Sequence, residues 1–234
     1  MLANSFRRLY HSGAHVNPTI ITDTIQTKVL AAALSHVPTT GFTERSIDLA
    51  LNDLSLSPGV RSSFNFSHGP VMSLVLHHLK TQRVRLQQNH VAVIDGAKDE
   101  YGALLKLVQF RLLGNEAVLP HYHEALATII LPSNVASSLE ELHALSDDLS
   151  WYAGDASNDF KWYAKRLSLS MAYVEAELFQ LGDKSEGFKD TLEFVASKLD
   201  AVDKCGTAYN DVEEWGVFSL MSFVNLLKSQ LVRG

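Results

Sequence analysis

A single cysteine, Cys205, stands in the chain, so neither a disulfide framework nor a thiolate metal cluster can be assembled within it. No run of about 20 apolar residues occurs, which excludes a helix that crosses a membrane. Alternating strand patterns are almost absent. Val91-Ala92-Val93-Ile94 is the one candidate, in a loop-like stretch ending at Asp95-Gly96. Cationic excess is missing too: 20 Lys and Arg face 26 Asp and Glu, a net charge of −6, which argues against a protein that lives on nucleic acid. No glycine-rich phosphate loop, no Gly-x-Ser-x-Gly elbow and no His-Glu-x-x-His motif is found. Nothing in the sequence calls for an enzyme, although catalytic groups can converge from distant segments.

What is present is apolar helical periodicity. Hydrophobic residues make up 46% of the chain, enough for a sizeable core in an all-α fold. Helices are expected over 23–36, 70–86, 100–114, 120–131, 133–152, 158–181, 185–205 and 213–232. The first carries Ile25, Val29, Leu30, Ala33 and Leu34 on one face and should stop near Val37-Pro38, because proline disfavours the helical conformation in its predecessor. Residues 87–98 read as a loop. Residues 1–22 hold Arg7 and Arg8, hydroxyl side chains and no acid, the composition of a mitochondrial transit peptide.

Thr43 after Gly41-Phe42 is placed as the N-cap of a short helix carrying Ile47, Leu51 and Leu54 inward. The turn Ser55-Leu56-Ser57 follows, and Pro58 opens a second short helix ending near Phe64. This is the outline of a helix-turn-helix over 23–68. Charge decides against DNA: specific binding needs about 6–10 phosphate contacts, whereas Arg45 and Arg61 face Glu44, Asp48 and Asp53 here. The module is therefore structural. Glu140 and His143 have the spacing of one half of a di-iron site, but no second Glu-x-x-His exists, so a solvated helical face is the better reading. His121 and His123, two apart, point to different sides of a helix. No metal and no cofactor is expected.

Two segments stand out. The first, residues 145–166, crowds Trp151, Tyr152, Phe160, Trp162 and Tyr163 among Asp147, Asp148, Asp155 and Asp159, with Gly154 breaking the helix. Trp162 and Tyr163 are adjacent, so their directions on a helix differ by about 100° and one apolar stripe cannot easily take both. The pattern fits either a protein-binding surface or core aromatics beside a solvated turn. The second is the C-terminal helix, where Val217, Leu220, Met221, Val224, Leu227 and Leu231 share a side opposite Ser219, Ser222, Asn225, Ser229 and Gln230. Burying those six apolar groups is worth roughly 9 kcal/mol gross at about 1.5 kcal/mol each. Pattern alone leaves open whether that side meets the core or a bilayer interface.

The chain resembles the fungal form of the ubiquinone (coenzyme Q) biosynthesis accessory protein numbered nine in the Coq series. The resemblance rests on Gly41-Phe42-Thr43-Glu44-Arg45-Ser46-Ile47, on 147–166 with Trp162-Tyr163-Ala164-Lys165-Arg166, on Asp183-Lys184-Ser185 and on the ending from Asn225 to Gly234. It runs from Arg8-Leu9-Tyr10-His11-Ser12 to the end and is weakest over 87–96.

That resemblance implies a TetR-like fold: a helix-turn-helix part that has lost its DNA role (23–68), a helical part with an apolar lipid pocket (69–212) and an amphipathic membrane-binding helix (213–234). It implies a peripheral protein on the matrix side of the mitochondrial inner membrane. Such a protein binds isoprenoid quinone precursors and phospholipids and presents them to the di-iron demethoxyubiquinone hydroxylase, alongside other subunits of the ubiquinone-biosynthesis complex. A homodimer is compatible with it. Fungal members are also associated with removal of a ring amino group, which keeps an enzyme acting directly on amino-substituted precursors as the alternative. Carried over by position, the partner surface comprises Asp148, Leu149, Trp151, Tyr152, Asp155, Asp159, Trp162, Tyr163 and Arg166. The membrane face comprises Trp215, Val217, Phe218, Leu220, Met221, Val224, Leu227 and Leu231. Periodicity alone assigns the pocket to Leu167, Met171, Val174 and Leu178 on one helix and Leu192, Val195 and Leu199 on the next.

Overall fold

The computed structural model describes residues 15–64, 68–155 and 160–207, with 160–162, 164 and 202–207 described by backbone only. Most of 1–22, Asp159, the Trp162 side chain and the whole C-terminal helix lie outside the described residues. Among those described, every regular element is helical: α1 (Ile25–Thr40), α2 (Glu44–Asp53), α3 (Pro70–Ile94), α4 (Glu100–Leu113), α5 (Tyr122–Ile129), α6 (Val135–Ala153), α7 (Phe160–Gln180) and α8 (Lys189–Thr207). Three short 3-10 segments, Pro58–Phe64, Glu116–His121 and Glu186–Phe188, fill connections.

α1 starts at Thr24, whose hydroxyl accepts the Thr27 N–H at 3.1 Å and so satisfies a first-turn donor. It does not stop at Pro38. Val37 is fully buried, and the helix continues to Thr40, where the Gly41 N–H closes it on the Val37 carbonyl at 2.9 Å. Gly41 has φ 77°, and a Cβ there would run into the Glu124 carboxylate, which instead accepts the Phe42 N–H at 2.7 Å. α2 buries Ile47 and Leu51 as expected, but Leu54 ends it 40% exposed. Pro58–Phe64 forms as a 3-10 helix rather than an α-helix. Its one cation, Arg61, is taken up by Asp48 at 3.0 Å and by Glu44, so it presents no free charge to a phosphate.

The expected loop at 87–98 is largely helix, because α3 continues to Ile94. At about 1.5 Å per residue, its 25 residues span about 37 Å. This length joins two cores. Met72, Leu74 and Val75 belong to a first core with α1, α2 and α5; Leu86 belongs to a second with α4, α6, α7 and α8, against which Val93 and Ile94 pack. Burial of each such aliphatic side chain contributes about 1.5–3 kcal/mol. α6 ends at Gly154, whose φ of 96° is the left-handed cap its sequence position called for.

Candidate functional site

A cavity of about 480 Å³ lies where the two cores meet, open to solvent on one side. α5 and α6 supply its apolar wall through Leu126, Ile129, Ile130, Val135, Leu139 and Leu142, and α7 closes it with Val174 and Leu178. The volume and lining are those of sites that hold apolar ligands, typically about 300–1,000 Å³. Leu139, Leu178 and Leu181 on its margin are 51%, 42% and 37% exposed, so the mouth is apolar as well.

The inner end is polar and, apart from the buried Arg111 Nε, internally paired. Glu177 Oε1 accepts from Tyr173 Oη at 2.6 Å, Tyr122 Oη at 2.8 Å and Asn115 Nδ2 at 3.0 Å. Arg111, fully buried, donates from Nη1 to Asn115 Oδ1 at 2.9 Å, with its guanidinium carbon 5.6 Å from the Tyr173 ring centre. Burial holds both phenols well above their usual range, so both remain protonated donors to Glu177. Beside them, Arg83 holds Glu141 and Asp148, and burial pushes those two carboxyls upward against its pull. The walls therefore carry charge without leaving it unbalanced, which is what burial of charge requires.

The residues assigned to the pocket by periodicity divide. Val174 and Leu178 line the cavity. Leu167 is 45% exposed, Met171 and Leu192 are half-buried outside the lining, and Val195 and Leu199 are core residues packed on the far side of α7. The α5–α6 wall was missed. Periodicity shows that a helix has an apolar side, but not whether that side meets another helix or a void.

The carried-over partner residues form two layers. Leu149 is fully buried in the second core; Tyr152 is 7% exposed and stacks on His90 with ring centres 4.3 Å apart. Asp148, Asp155 and Arg166 are also buried. Arg166 donates from Nε to Asp147 at 2.6 Å and from Nη1 to Asp155 at 2.8 Å, tying α7 to the end of α6. Trp151 and Tyr163 are the outward layer, 44% and 45% exposed. The ion pairs thus tie together the ends of α6 and α7 that carry these two exposed aromatics. Glu140 and His143 lie on an exposed face, and no three His, Cys, Asp or Glu side chains converge as a metal-ligand set among the described residues.

Residues 135–206, which hold α6, α7 and most of α8, match the family model described as COQ9. Over 248 residues the chain is 36% identical to the ubiquinone biosynthesis protein COQ9, mitochondrial, of Eremothecium gossypii, covering 97% of this chain and 98% of that protein. It is 36% identical over 251 residues to the protein of the same name from Saccharomyces cerevisiae, covering 98% and 95%. The human protein of that name is 31% identical over 199 residues, 82% of this chain and 62% of its own length.

Proposed function

The chain belongs to the COQ9 family, and on that premise we propose that it serves mitochondrial ubiquinone biosynthesis as a lipid-binding accessory protein, not as an enzyme. The observation that carries this reading is the cavity between the two cores: its wall is aliphatic, its mouth is apolar, and the polar groups around Glu177 at its inner end are partnered with one another, Arg111 Nε being the exception. Such a site has much to offer a polyprenyl chain and little to offer a reacting centre. We take the arrangement as TetR-like, with α1 and α2 kept as scaffold. The protein sits at the matrix face of the inner membrane through the amphipathic C-terminal segment. It takes an isoprenoid quinone precursor into the cavity and presents it to the di-iron demethoxyubiquinone hydroxylase, which docks beside Trp151 and Tyr163. Catalysis belongs to that partner.

The deciding experiment is mass spectrometry of organic extracts from natively purified protein, against an unrelated protein from the same preparation. A co-purifying polyprenyl quinone or precursor is expected. Extracts with only bulk phospholipid, together with no uptake of a polyprenyl quinone from vesicles, would sink the reading. Conversion of an amino-substituted precursor by the purified chain without a partner would make it an enzyme, and the Glu177 end of the cavity would be the place to look.

A further inference from the structure

Residues 15–22 carry no regular secondary structure, and their first residues are seated against the end of α6. The His15 imidazole, 4% exposed, lies between two carboxylates of α6: Nδ1 is 3.0 Å from Asp147 Oδ2 and Nε2 is 3.0 Å from Asp148 Oδ1. Its ring stacks on Trp151 with centres 5.2 Å apart and planes 12° apart, and meets Tyr152 edge-on at 5.5 Å. Two residues on, Asn17 Oδ1 accepts a hydrogen bond from Tyr152 Oη at 2.9 Å. One short segment therefore occupies the acidic and aromatic groups at the end of α6 at the same time.

Of these groups, Trp151 belongs to the outward layer read above as the docking face, and Asp148 and Tyr152 to the buried layer beneath it. A planar nitrogen-bearing ring stacked on an indole and flanked by carboxylates is the contact that an arginine or histidine of a partner would make there. Both cannot be present together. We propose that residues 15–17 form a strap that masks this face, so that strap seating and partner docking exclude each other. The strap lies within residues 1–22, read as a transit peptide, so cleavage beyond Asn17 would unmask the face once the protein is inside mitochondria. The proposal rests on the docking reading and adds a regulation to it.

The test uses the full chain and its His15→Ala/Asn17→Ala variant, with two readouts. Tryptophan fluorescence reports seating: the variant's spectrum should differ from the wild type, and the difference should vanish in a Trp151→Phe background. Binding to the di-iron hydroxylase reports masking. If the strap is seated nine-tenths of the time, the variant should bind about tenfold more tightly. An unchanged spectrum overturns the strap. A changed spectrum with equal or weaker hydroxylase binding overturns the masking while leaving the docking face standing. If neither form binds the hydroxylase, the docking reading falls, and the masking falls with it.

Discussion

Arg83 on α3 donates from Nε to Asp148 Oδ2 on α6 at 2.6 Å, and the two side chains are 10% and 1% exposed. Its Nη1 reaches Glu141 on the same helix at 3.2 Å, so one guanidinium serves two buried carboxylates. Removing it strands Glu141 and leaves Asp148 with only the His15 imidazole beside it, 3.0 Å away. Arg83→Met should cost about 3–5 kcal/mol in urea unfolding, the usual result of uncompensating buried charge. Adding Glu141→Gln and Asp148→Asn should recover most of the loss, since neutral amides need no cation. A cost below about 1 kcal/mol for Arg83→Met would mean that water already solvates the pair.

His78 predicts a pH dependence. Burial, helped by the positive charge of Arg111, pushes its imidazole down from the usual 6.5 to about 3. Below pH 6.5 the unfolded chain takes up a proton that the folded chain refuses until pH 3 is approached. The unfolded state then binds more protons, and stability falls with falling pH through that window. The slope for one such group approaches about 1.4 kcal/mol per pH unit. His78→Gln should flatten the curve of unfolding free energy against pH between 6.5 and 4 relative to the wild type. Parallel curves would mean that His78 is protonated without cost.

The helical class and most element positions were legible because apolar spacing is local information. Two boundary expectations failed where tertiary contacts outweighed local preference. Val91-Ala92-Val93-Ile94 reads as an alternating strand candidate in a loop-like stretch, yet α3 continues through it and Val93 and Ile94 pack against the second core. Pro38 was expected to end α1, yet Val37 beside it is fully buried, and the last turn closes around it. The cavity was half legible. Val174 and Leu178 lie on a strongly periodic helix, but the opposing wall on α5 and α6 is set by how the helices are spaced, which no single helix encodes.

The cavity reading predicts a contrast between two positions on α7. Val174 lines the void, whereas Leu167 is 45% exposed and away from it. Val174→Trp should fill part of the space and lower bound polyprenyl quinone at least about tenfold, the effect of about 1.4 kcal/mol. Leu167→Trp should leave the load unchanged. Circular dichroism on both guards against unfolding, and Leu142→Trp on the facing wall provides a second filled cavity. Equal loading of all variants would place the lipid elsewhere.

Docking predicts a different signature. Tyr163, one turn before Arg166 on α7, is 45% exposed, so truncating it removes little from the core. Trp162→Ala with Tyr163→Ala should weaken hydroxylase binding by about 30-fold or more, if these aromatics reach the roughly 2 kcal/mol expected of interface anchors. Tyr163→Ala alone should shift the melting temperature by only a few degrees. Undiminished co-purification by the double variant would remove these residues from the interface.

The proposed membrane attachment rests on the apolar side of the C-terminal segment, where Leu220 and Val224 stand four apart. Serine at both positions removes apolar area from the centre of that side and leaves the polar side unchanged. If the segment lies in a bilayer interface, Leu220→Ser/Val224→Ser should lower flotation with liposomes severalfold, because binding there scales with the apolar area inserted. Stability in urea should barely change, since the side chains would have been in lipid and not in the core. The reverse pattern, full flotation with a loss of several kcal/mol in stability, is what two buried aliphatic side chains replaced by a hydroxyl would produce. It would assign the helix to the interior, and membrane contact would have to come from another surface.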